Sequence, residues 1–109
     1  MANSQTIIDN SVKELESIEI KLNSVDEEDL NDEQRNTLAE QINQVALDLI
    51  RLRTAQIEAL STEFKARENE LSTSITDLKS NLENTQTAIA IVGVVGQALG
   101  TITDIIALI

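Results

Sequence analysis

Apolar residues recur along the first part of the chain at helical spacing. Ile8, Val12, Leu15, Ile18, Leu22 and Val25 follow one another at intervals of 4, 3, 3, 4 and 3. That interval lines one face of an amphipathic helix, and Asp9, Lys13, Glu14 and Glu16 fall on the others. The pattern predicts a helix that begins near Ser4 or Thr6 and ends near Asn23, with Thr6 and Asp9 as a weak capping pair. Residues 24–30 then read as a connection, with four consecutive acids at Asp26, Glu27, Glu28 and Asp29. Asn31 is a good N-cap and Gln34 its capping-box partner, while Asp32 and Glu33 suit the positive end of the next helix dipole. A link this short joins antiparallel neighbours.

Neither Gly nor Pro interrupts residues 31–87. Leu38, Ile42, Val45, Leu49 and Leu52 form one heptad-like seam. Ile57, Leu60, Phe64, Arg67, Leu71, Ile75, Leu78 and Leu82 form a second, offset as by a stutter. Ala46, Ile50, Ala55 and Ala59 widen the apolar face where the two meet. The expected element is one long coiled-coil-like helix over 31–83, which would span roughly 80 Å at 1.5 Å per residue. Such a rod either breaks, near 61–62 or 72–74, or is covered by other copies of the chain. Self-association is the expectation here, and no internal repeat is evident.

The last stretch differs in kind. Residues 88–109 contain one charged side chain, Asp104, and about 22 helical residues match the hydrocarbon thickness of a bilayer. On a helical projection Ile91, Val94, Val95, Leu99, Ile102, Ile105, Ile106 and Ile109 gather on a bulky face. Gly93, Gly96, Gln97, Gly100, Thr101 and Asp104 gather on a small, polar one. Small residues let helices approach closely in a membrane, and Gln97 and Asp104 would bond across a helix bundle or face a watery lumen. The Ile, Val and Leu residues contribute about −5 kcal/mol on an insertion scale, and Asp104 costs up to about 3 kcal/mol. Insertion is therefore marginal and conditional, with no basic flank or Trp/Tyr belt to anchor it. Two rival readings place the segment in water, folded back on the 71–82 seam, or make it an export or degradation signal.

Composition narrows the function classes. Eight Lys and Arg stand against 19 Asp and Glu, a net charge of −11, and all the cations lie before residue 84. Residues 1–83 hold 8 cations and 18 acids. The chain thus divides into an acidic helical body, 1–83, and an apolar C-terminal segment, 84–109. A charge of this sign opposes nucleic-acid binding, and a single aromatic residue gives bases nothing to stack on. Without Cys or His, neither a zinc site of the usual ligands nor a His-based triad can be built. The acidic run 26–33 lacks the alternating ligands and central Gly of a calcium loop, and reads as solvated and cap-rich. Arg53 and Arg67, beside the seams, are candidates to pair with an acid of a neighbouring helix. The first five residues have no basic flank and no long apolar run after them, so no secretory leader is expected.

The expectation is an all-α, non-enzymatic protein with no catalytic residues, metal, cofactor, nucleic acid or small-molecule substrate. Its partners would be membrane lipid and further copies of itself, and its location membrane-associated or soluble before insertion. The layout resembles that of small helical pore-forming toxins, in which an amphipathic body delivers one hydrophobic segment. Tail-anchored coiled coils and phage lysis accessories share that layout. The alternative is a soluble helical scaffold or partner-binding subunit whose last helix packs internally or in a homo-oligomer interface.

Overall fold

The computed structural model describes residues 3–109, and among them the chain forms four helices and no strand. They are α1 (Ser4–Asn23), α2 (Asp32–Arg53), α3 (Thr62–Glu83) and α4 (Ala88–Ile106). Each starts on a polar cap whose side chain accepts a hydrogen bond from a backbone N–H three residues on. The caps are Asn3, Asn31, Ser61 and Thr87. Asn31 and Gln34 complete the reciprocal capping box. The first cap is Asn3, one turn before the Thr6 anticipated: its carboxamide reaches Thr6 N at 2.9 Å.

The long helix expected over 31–83 is two helices. The chain leaves α2 at Thr54, makes a single 3-10 turn over Ile57–Ala59, and re-enters helix after Ser61. The break is at the first of the two places anticipated, and α3 runs unbroken through 72–74. Thr54 ends α2 at φ −97°, ψ 0°, and Ser61 opens α3 by accepting from Phe64 N–H at 3.0 Å, so the break is made without glycine or proline.

This break belongs to a repeat that the sequence pattern had hidden. α1, α2 and α3 end at Asn23, Arg53 and Glu83, 30 residues apart, and α2 and α3 start 30 apart. Leu22, Leu52 and Leu82 are buried at equivalent places, and Leu30 and Leu60 are buried just before the two N-caps. Ser24, Thr54 and Asn84 cap the three C-termini, each near φ −95° and ψ 0°. The chain therefore repeats a helix-and-loop unit with different side chains on its surfaces.

The helices pack side by side. α1 lies on α2 and α3, α4 lies on α2 and α3, and the pairs α1/α4 and α2/α3 face each other across the core. Polar contacts fix the directions. Ser4 meets Glu68 and Thr76 meets Glu14, both at 2.7 Å, so α1 and α3 are parallel. Gln41 meets Val92 and Asp48 meets Thr103, so α2 and α4 are parallel too. Arg53 pairs with Glu16 of α1 at 3.3 Å, and Arg67 pairs with Glu70 of its own helix at 3.0 Å. Only Arg53 thus finds its acid on a neighbouring helix. The molecule measures 45 × 23 × 18 Å with a radius of gyration of 14.1 Å. A globular chain of this length has a radius of about 13 Å, which leaves no room for an 80 Å rod.

The seam residues line the bundle core. Leu38, Val45, Leu49, Leu60, Phe64, Leu71, Leu78 and Leu82 are buried, and Ile42 and Ile57 are half-buried.

Candidate functional site

α4 is the most apolar helix of the chain, with a mean hydropathy of 1.8, and is long enough to cross a membrane. Its sequence fixes where it begins. Thr87 accepts a hydrogen bond from Ala90 N–H, and β-branched residues with helical spacing follow. It ends at Ala107, and Ser61 at the head of α3 donates its hydroxyl proton to Leu108 C=O, which ties the last turn to the bundle.

The two faces of the projection separate in space. Ile91, Val95, Leu99, Ile102, Ile105 and Ile106 point into the bundle and are buried, while Val94 and Ile109 are half-buried at its edge. Ala88 and Val92, which fall outside that set in the projection, are buried as well. Gly93, Gly96, Gln97, Gly100, Thr101 and Asp104 are all exposed, joined by Ile89, Ala90 and Ala107. The bulky face is thus covered by the protein's own helices, and the small face is turned outward.

The glycines are not there to make room. A Cβ at Gly93 or Gly100 would meet nothing within 4 Å, and one at Gly96 would touch only Gln41 Nε2 at 3.7 Å. In mid-helix each glycine costs about 1 kcal/mol relative to alanine, and the bundle gives no steric return for it.

Beneath the outward face, α4 is held by polar groups of α2. Gln41 Nε2 donates to Val92 C=O at 2.9 Å. Thr103 Oγ1 donates to Asp48 Oδ2 at 2.8 Å, and Gln44 Nε2 donates to Asp48 Oδ1 at 3.1 Å. Asp48 has no exposed surface. Burial pushes its carboxyl above the ordinary carboxylate range, opposed by the hydrogen bonds from Thr103 and Gln44 and the charge of Arg51. Gln41 and Asp48 were not among the residues singled out from sequence. In an acidic, Gln-rich stretch they look like surface side chains. The signal that finds them is the 30-residue register, which sets Asp48 level with Ile18 and Leu78.

Comparison with protein-family models, with curated proteins and with solved structures finds no match.

Proposed function

We propose that this is a non-enzymatic helical protein that carries α4 packed in its bundle in water, self-associates, and engages a membrane through α4. The observation that supports this reading is the outward surface of α4. From Ile89 to Thr101 it exposes Ile, Ala, Gly, Gln and Thr but no charge, and all eight cations of the chain lie on α1–α3. Of its most apolar window 33% is buried.

Energetics explain why self-association accompanies insertion. When α4 leaves, the core faces of α2 and α3 lose a neighbour. α2 and α3 then close on each other, or a second copy covers them. In lipid the bulky face of α4 meets acyl chains, and Gly93, Gly96 and Gly100 let neighbouring copies approach closely. Gln97 and Asp104 then bond across the assembly or line a pore.

The second reading, a scaffold that stays in water, draws on the burial of Ile91, Val95 and Ile102 within the same chain. One experiment divides the two. Full-length protein is floated with phosphatidylcholine vesicles beside a Gly93→Lys/Gly100→Lys variant. A Cβ at either position meets nothing within 4 Å, while each lysine adds up to about 3 kcal/mol to insertion. The expected result is that the wild type floats and the variant, with unchanged helical circular dichroism, stays at the bottom. A wild type that stays at the bottom rules out the membrane reading in favour of the scaffold.

A further inference from the structure

Gln41 and Asp48 stand one heptad apart on α2 and, with Ser11 of α1, are the buried polar side chains among the described residues. Both reach α4, one at the main-chain carbonyl of Val92 and the other at the hydroxyl of Thr103. The internal repeat supplies the comparison. The place of Asp48 is taken by Ile18 in α1 and Leu78 in α3, and that of Gln41 by Ser11 and Leu71. Ile18, Leu71 and Leu78 are buried, so these places accept aliphatic side chains elsewhere in the bundle.

Neither α2 residue is fully compensated. Gln41 Oε1 is buried without a hydrogen-bond partner. Asp48 has no cation within 4 Å among the described residues. A buried carboxylate in that position weakens the state that buries it, and apolar replacement of such groups is often stabilising. What polar core residues supply instead is register.

We propose that Gln41 and Asp48 form a release latch for α4. They fix its register on α2 through Val92 and Thr103, and they hold its docking weaker than apolar or neutral side chains would, so that the helix can leave the bundle. This inference rests on the membrane reading of α4, but its first test needs no membrane.

The test compares wild type with a Gln41→Met/Asp48→Asn variant of the full chain. Asn keeps the shape of Asp, and Met the length of Gln. The new asparagine still accepts from Thr103, and the Gln44 amide turns over to accept from it. The expected urea unfolding constant falls about tenfold or more, and the fraction floating with phosphatidylcholine vesicles falls at least threefold. Asp48→Asn alone carries the same signs and serves if the double variant does not fold. A variant no more stable than wild type overturns the latch, and so does a stabilised variant that floats as well as wild type. If the wild type itself does not float, the failure belongs to the membrane reading.

Discussion

The hydroxyl of Ser11 lies inside the bundle without a hydrogen-bond partner. Removing it gives up no bond and relieves a desolvated polar atom. Ser11→Ala is therefore expected to stabilise the protein by about 1 kcal/mol, read from urea unfolding midpoints. Asp48 makes a prediction with a pH signature. Its raised carboxyl binds a proton more tightly in the folded chain than in the unfolded one. The cost of ionising it is absent below the unfolded value of about 3.9 and grows as pH rises towards the folded value. Acid thus favours the fold through this group. The stability that Asp48→Asn gains over wild type should be largest at neutral pH and shrink as pH falls towards that unfolded value. An advantage constant across that range would show that charge is not the issue. Glu70 has the opposite sign, because Arg67 lowers its pKa. Its help is lost as pH falls, but the pair faces water and solvent screens it.

Among elements, the boundaries show what a sequence pattern can and cannot carry. α1 and the Asn31 capping box were legible because amphipathic spacing and cap chemistry agree there. The break between α2 and α3 was obscured because apolar residues continue through it and no Gly or Pro marks it. Ser61 opens α3 with a side-chain cap on Phe64 N–H, while the Thr54 hydroxyl bonds the carbonyl four residues back just as Thr37 does in mid-helix, so nothing in residue type marks the break. The 30-residue unit was equally hidden, since few residues beyond Leu22, Leu52 and Leu82 and the pair Leu30 and Leu60 are shared, and the rest of its likeness lies in caps and buried positions. In α4 the face of Ile91, Val95 and Ile102 is buried and that of Gly93, Gln97 and Asp104 exposed, as a 3.6-residue period divides them. It could not reveal Asp48 or Gln41 beneath that helix, because burial of a polar residue is decided by packing. The glycines of α4 yield a direct test. Gly93→Ala and Gly100→Ala meet open space, so each is expected to stabilise the bundle by about 0.5–1 kcal/mol, measured by thermal or urea unfolding. If these alanines instead weaken vesicle binding, close helix approach in the assembly is the reason the glycines are there.

For the whole molecule, the sequence made the all-α class legible. The chain's compactness was not, because it depends on the break at residues 54–61 that turns a would-be rod into two helices on opposite sides of one core. The bundle answers how so apolar a helix is held in water: its bulky face is buried by α2 and α3. The central claim is that this helix exchanges that shelter for lipid. The chain has no cysteine, so Ile89→Cys, at a side chain 56% exposed on the outward face of α4, carries a single environment-sensitive fluorophore. The account predicts emission typical of water in buffer. On adding phosphatidylcholine vesicles it predicts a blue shift, together with quenching by spin-labelled acyl chains. Emission that stays water-like, unquenched by those lipids, would contradict it.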